Sequence, residues 1–361
     1  MAENQIFTNL IRPFLGNTKS KSFALPGILN DQVRLLAIDS GDLADMLFHV
    51  PLLHGIQQLY PGARIDFLLP ESHTPLVVPS GLARQCLVYN TRQLKGWSPS
   101  LGALLRSVRK NEYDVAMLMS LSPQPVLELV LLASGAALRL GISHRRSYPS
   151  INFEIRPSDT PKGYRGLRPA QAAAFMGLPA ASLQRSWPLP DDKLRQIKQL
   201  VHFNKPRKDE LLVGVDPGYG KEGRGISLAN LHFVVKQLAS QTTCRILPLS
   251  DPANQDRLDQ FEAKLTGPPS GLVRDTLFET ILLLSQCDLF LSCNTDLFHF
   301  AVAQKVPCIG LFNRLDAADW EPEDCPWARV IRIKKDQKVD IDTLMEAVEN
   351  VMQMKTASPR N

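Results

Sequence analysis

The sequence predicts an α/β protein made of two doubly wound, parallel-sheet domains. Three observations carry this expectation. From Val33, short aliphatic runs alternate with segments of helical periodicity, and the alternation restarts at Leu211. The strands read as continuous apolar runs, as in CDLFLSC, which suits parallel strands covered on both faces. Between the two rhythmic stretches, residues 151–208 are rich in proline and charge and lose the pattern.

The elements follow in order. VRLLAID is a first strand, and LADMLFHVPLLHGIQQLY carries apolar residues at helical spacing. ARIDFLLP and QCLVYN are strands, LGALLRSVRKN a helix, YDVAMLMS a strand, VLELVLLASGAAL a helix and LRLGIS a strand. DDKLRQIKQLVHFN is a helix inside the irregular stretch. Then ELLVGVDP, CRILPLS, CDLFLSC, VPCIGLF and ARVIRI are strands. SLANLHFVVKQLAS, NQDRLDQFEAKL, RDTLFETILLLSQ and DLFHFAVAQK are the helices among them, and IDTLMEAVENVMQM closes the chain. The organisation expected is an extension over 1–32, a first domain over 33–185, a linker over 186–208 and a second domain over 209–361. The last helix could pack back on the first domain. Two such domains place a ligand in the cleft between them, at the carboxyl ends of the strands.

Composition narrows the classes. Of 361 residues, 44% are apolar and 21% charged, enough for two hydrophobic cores. No apolar run reaches the ~18 residues of a membrane-spanning helix. The nearest, Val126–Leu140, is broken by Glu128, Ser134 and Gly135. The start, MAENQIFTNLIRPF, lacks the positive charge and long apolar stretch of a signal peptide, so a cytoplasmic protein is expected. The six cysteines form no C-x-x-C pair and sit mostly in apolar segments, so neither disulfides nor a metal site is expected. A net charge of +5 without a dense Lys/Arg block argues against nucleic acid. It suits phosphates, or peripheral contact with an anionic membrane surface.

Three motifs could carry chemistry. In IDSGDLADMLFHVP a buried strand ends at a glycine turn crowded by Asp39, Asp42 and Asp45. Acids start helices, and Asp42 reads as an N-cap with Asp45 in the first turn. The alternative is that one of these acids is a general base at a strand's carboxyl end. VDPGYGKEGRGISLANL contains a literal G-x-G-x-x-G at Gly218, Gly220 and Gly223. It departs from the dinucleotide fingerprint, because Gly223 and Gly225 delay the helix, Ser227 reads as its N-cap, and no acid follows about 20 residues on. It reads either as a solvated loop or as a loop carrying Lys221 and Arg224 toward a phosphate. In CNTDLFHFA a helix starts near Thr295, with His299 four residues on. That is either a capped core helix with a satisfied histidine or an anion site.

Together these segments resemble the bacterial ADP-heptose:lipopolysaccharide heptosyltransferases, glycosyltransferase family 9, in order and spacing across most of residues 33–345. LLAIDSGDLADMLFHVPLLHGIQQLYPGARIDFL resembles the family's strand, G-D turn, helix and "YP-x-A-x-I-D-x-L". VGVDPGYGKEGRGISLANL is similar to its "PG-x…K-x-W-P" segment. CDLFLSCNTDLFHFAVAQKVPCIGLFNRLDAADW is similar to its "ADL-V-x-x-D-T-G-x-x-H-x-A-A-A" stretch, the most specific of the three. The resemblance implies a GT-B fold of two Rossmann-like domains, with the nucleotide-sugar donor held mainly by the second. It also implies inverting transfer without a metal or other cofactor, from an ADP-linked nucleotide-sugar donor to a lipopolysaccharide-core or other glycan acceptor, free or lipid-linked, at the inner membrane. By position, Asp45 matches the catalytic Asp, with Asp42 and His49 on the acceptor side. Lys221, Arg224, Asn294, Thr295, Asp296, Leu297 and His299 fall at the donor, Arg224 standing where the family has Lys.

The departures are specific. Asn294 replaces the Asp that contacts the donor sugar, and Asp296 replaces a Gly beside the diphosphate. Ile226 and Ser227 replace Trp-Pro, Asn313 replaces a Gly, and LMSLSPQP replaces the acceptor-side "D-x-Q-G". A carboxylate 4 Å from a phosphate charge, at an effective dielectric near 20, costs roughly 4 kcal/mol, or about three orders of magnitude in affinity. Two alternatives to the transferase therefore stand: a diverged non-catalytic protein that binds a nucleotide, glycan or protein partner, and a GT-B-like sugar-nucleotide epimerase.

Overall fold

A computed structural model of the chain describes residues 22–90, 94, 99–142, 144, 147–156, 164–204, 210–220, 225–265, 272, 275–322, 325–334 and 339–357. The chain divides into two compact units: Met1–Pro161 with Gly166–Pro188, and Lys162–Arg165 with Leu189–Asn361.

Unit 1 is built on six parallel strands: β1 (Arg34–Asp39), β2 (Arg64–Pro70), β3 (Gln85–Tyr89), β4 (Val115–Met119), β5 (Leu138–Ile142) and β6 (Phe153–Ile155). Their order is β3-β2-β1-β4-β5-β6. The helices are α1 (Leu43–Leu59), α2 (Thr74–Ser80), α3 (Pro99–Lys110), α4 (Pro125–Ala133) and α5 (Arg168–Phe175). β1 and β4 are buried almost throughout because both faces are covered by helices. Leu36, Ile38 and Ala116 on the sheet pack with Leu127 and Val130 of α4 and Val108 of α3. Every residue of α1 from Leu43 to Leu53 is buried, polar ones included, so it is a core helix without a solvent face at its start.

Unit 2 has five parallel strands: β7 (Leu211–Val215), β8 (Cys244–Pro248), β9 (Leu289–Ser292), β10 (Cys308–Phe312) and β11 (Ala328–Arg332), in the order β11-β10-β9-β7-β8. Its helices are α6 (Asp191–Asn204), α7 (Leu228–Gln241), α8 (Gln255–Glu262), α9 (Leu277–Gln286), α10 (Asp296–Ala303), α11 (Arg314–Trp320) and α12 (Ile341–Ala357). Val213, Leu289 and Leu311 of the sheet share one core with Leu231 of α7 and Leu344, Val348 and Val351 of α12. The closing helix thus packs on the second sheet.

The irregular stretch 151–208 proves partly regular, since it holds β6, α5 and α6. Prolines there start elements rather than prevent them: Pro169 lies at the first turn of α5, where a missing N–H costs nothing. α4 is shorter than its apolar run, because Ser134 and Gly135 end it, with Gly135 at φ +68. Among the described residues no helix is long and apolar enough to cross a membrane.

Each sheet has one point where strand order reverses, between β1 and β4 in unit 1 and between β7 and β9 in unit 2. Loops leave the carboxyl ends of such neighbouring strands in opposite directions, opening a crevice there. The motifs singled out above fall at these two points.

Candidate active site

In unit 1 the structure gives the three acids after β1 three different tasks. Asp39 is fully buried, and its Oδ1 accepts from Gly41 N–H at 2.8 Å. Gly41 turns the chain with φ +89, a conformation that disfavours any side chain. Asp42 is the N-cap of α1, and its Oδ1 accepts from Asp45 N–H at 3.0 Å. Asp45, 7% exposed, points to the neighbouring strand end, where its Oδ2 accepts from Leu121 N–H at 3.0 Å and from Ser120 Oγ at 3.3 Å. The register explains the meeting: Asp39 lies opposite Met119, so Ser120 and Leu121 emerge beside the β1–α1 turn. His49 is one helical turn below Asp45 and donates from Nδ1 to the Asp45 carbonyl at 2.7 Å. Its Nε2 is buried without a partner, and burial pushes its pKa down to about 4, so the ring is neutral.

In unit 2, β7 runs into Asp216, which is 1% exposed. Its Oδ1 accepts from Gly218 N–H at 2.8 Å, and its Oδ2 lies 3.4 Å from Ser292 Oγ. Burial raises this carboxyl to about 7, against the hydrogen bonds from Thr295 and Gly218 that favour its charged form. Gly225 lies close against Tyr219: a Cβ on Gly225 would meet Tyr219 O at 2.4 Å, so only glycine fits. Arg257 of α8 donates to Pro217 O before the loop and to Ile226 O after it, and its guanidinium lies 4.6 Å over the Tyr219 ring. Ser227 caps α7 by accepting from Asn230 N–H at 3.2 Å. Lys221 and Arg224 lie outside the described residues.

Across the switch point, Thr295 is the N-cap of α10, accepting from Phe298 N–H at 3.4 Å, and its hydroxyl meets Ser292 Oγ at 2.7 Å. Asp296 and Leu297 are the first two residues of the helix, Leu297 fully buried, so only its amide can serve a ligand. The positive end of the helix favours an anion there. His299 is fully buried. Tyr164 Oη is 2.9 Å from its Nδ1 and Asn294 Oδ1 is 3.0 Å from its Nε2. Its ring also stacks on Tyr164 at 5.6 Å and tilts against Trp320 at 5.2 Å. The Nε2 side of the histidine thus meets Asn294, whose Nδ2 is buried without a partner.

The fold thus gathers Asn294, Thr295, Asp296, Leu297 and His299 at the start of α10 in unit 2, and Asp42, Asp45 and His49 along the first two turns of α1 in unit 1. Sequence reasoning missed Arg257, Tyr164, the buried Asp216 and the support of Asp45 by Ser120 and Leu121. Tyr164 and His299 are 135 positions apart, and Arg257 is 40 from Pro217. Only Asp216 had a local signal, an acid at the end of an aliphatic strand just before a glycine-rich loop.

The comparisons with known proteins agree with this frame. The sequence profile of glycosyltransferase family 9 (heptosyltransferase) matches residues 101–338. The lipopolysaccharide core heptosyltransferase OpsX of Haemophilus influenzae is 22% identical over 279 residues, 75% of this chain and 76% of that protein. Among solved structures, the ADP-heptose lps heptosyltransferase II of E. coli superposes with TM-score 0.69 at 18% identity, covering 90% of this chain and 100% of its own. The E. coli heptosyltransferase WaaC with ADP-2-deoxy-2-fluoro heptose gives TM-score 0.61 at 15% identity, over 88% and 99%. On a GT-B frame, and with the family profile spanning roughly two thirds of its length, the chain belongs to glycosyltransferase family 9, the heptosyltransferases, and is a glycosyltransferase.

Proposed function

We propose that the chain transfers a heptose-like sugar, with inversion and without a metal, from an ADP-linked donor to a lipopolysaccharide-core acceptor. The observation that carries this reading is Asp45, a nearly buried carboxylate fixed at the switch point of unit 1 by Leu121 N–H and Ser120. Asp45 takes the proton of an acceptor hydroxyl as its oxygen bonds to the anomeric carbon. The bond from that carbon to the diphosphate breaks on the opposite face, and the electron pair leaves with the diphosphate. Positive charge grows on the sugar and negative charge on the leaving group. The amides at the start of α10, with Lys221 and Arg224, stabilise the leaving group. A cytoplasmic enzyme touching an anionic membrane with its mildly basic surface fits a lipid-linked acceptor.

Purified chain incubated with ADP-heptose and heptose-deficient lipopolysaccharide yields a heptosylated product of inverted anomeric configuration, and EDTA leaves the rate unchanged. Retention of configuration, or loss of activity in EDTA, would sink the mechanism.

Asp296 favours a second reading, a protein that keeps the frame without turnover. Its carboxylate belongs to the first turn of α10, where it stabilises the helix by ~0.3–1 kcal/mol but repels a diphosphate. Asp296→Gly is expected to tighten ADP binding by about tenfold or more in calorimetry. Catalysis-free wild type combined with nucleotide binding restored by this substitution would favour the non-catalytic reading.

A further inference from the structure

Asp39 and its partner His73 have no part in the chemistry above, yet they are built as one unit. The Asp39 carboxylate is fully buried, with Gly41 N–H on Oδ1 at 2.8 Å and His73 Nδ1 on Oδ2 at 2.6 Å. Its carbonyl accepts from Tyr89 Oη at 2.8 Å. The residue is held from the β1–α1 turn, from the turn after β2 and from the end of β3. A buried carboxylate is costly unless paired, so this arrangement fixes the imidazole in one orientation.

With Nδ1 committed to Asp39, Nε2 is the ring's one remaining hydrogen-bonding atom. That nitrogen has no partner among the described residues, and it is not among the atoms sealed from solvent. Only 7% of the His73 side chain is exposed, so what faces outward is its far edge. The next residue, Thr74, has a buried hydroxyl without a partner. One ring nitrogen is thus committed to aiming the other outward. This happens at the carboxyl edge of the sheet, in the turn after β2, the strand next to the one that leads toward Asp45.

We propose that His73 is an acceptor-binding residue: its Nε2 shares a hydrogen bond with a hydroxyl of the acceptor sugar, and Asp39 is its positioning residue. This rests on the reading of unit 1 as the acceptor side of a glycosyl transfer.

The test separates the two nitrogens in the full-length chain. In His73→Asn the shorter amide can still donate to Asp39 while the outward nitrogen is gone. The Michaelis constant for a deacylated, heptose-free lipopolysaccharide-core oligosaccharide should rise about tenfold, the loss of one hydrogen bond. The turnover number, ADP affinity and melting temperature should hold. His73→Gln restores a polar atom at the outward position and should recover part of the loss. In the wild type, the His73 Nε2 resonance should move saturably as this oligosaccharide is added. Transfer by His73→Asn at the wild-type Michaelis constant overturns the site and keeps the activity. Movement of His73 without transfer keeps the site and overturns the activity. Neither transfer nor movement overturns both.

Discussion

Replacing Asp45 by Asn lowers the turnover number for sugar transfer by about 10²–10⁴-fold, the usual contribution of a positioned general base. The amide keeps an oxygen to accept from Leu121 N–H and Ser120 Oγ, so the turn after β1 holds its shape. What is lost is the capacity to take a proton. Because Asp45 lies in unit 1 and the α10 start lies in unit 2, ADP affinity should stay at the wild-type value. Rapid-quench kinetics and calorimetry on one preparation check both. Wild-type turnover in Asp45→Asn would remove Asp45 from the mechanism. A large loss of ADP affinity would show that the substitution disturbs more than the base.

Asp216→Asn should stabilise the protein in a pH-dependent manner. Burial raises the Asp216 carboxyl from 3.8 to about 7. Between those values the folded chain holds a proton that the unfolded chain has released, so stability falls as pH rises. The advantage of the protonated form is complete below 3.8, is lost on passing through about 7, and is constant above that. The whole interval corresponds to about 4 kcal/mol. Asn is neutral throughout. Its oxygen can accept from Gly218 N–H, and its amide can donate to the Ser292 or Thr295 hydroxyl. The difference in unfolding free energy between variant and wild type should therefore widen from pH 4 to pH 7 and then stay level in urea melts. A difference that does not change with pH would mean that Asp216 titrates in its ordinary range.

The order of strands and helices was legible because buried parallel strands are aliphatic on both faces, as in Leu289–Ser292, and cannot be mistaken for surface segments. Helix starts were legible too: Asp42, Ser227 and Thr295 are all observed N-caps, since an N-cap is chosen by bonds within three residues. α6 was legible inside the irregular stretch, but β6 and α5 were obscured by prolines, whose effect depends on whether they begin an element or interrupt it. The pairings that orient side chains were not legible. His73 meets Asp39 across 34 positions, and Ser120 meets Asp45 across 75, and each is fixed by which strands lie side by side. A sequence read along its length carries no record of that adjacency.

Arg257 carries a consequence for how this protein can vary. By donating to Pro217 O and Ile226 O, it ties the exit of β7 to the approach to α7, so these two points stay a fixed distance apart whatever sequence joins them. Residues in the sequence between those two points can then be exchanged without moving β7 or α7. The latitude ends at the clasp itself. A lysine there has one compact charged head in place of a planar fork, and cannot hold both carbonyls in the same geometry.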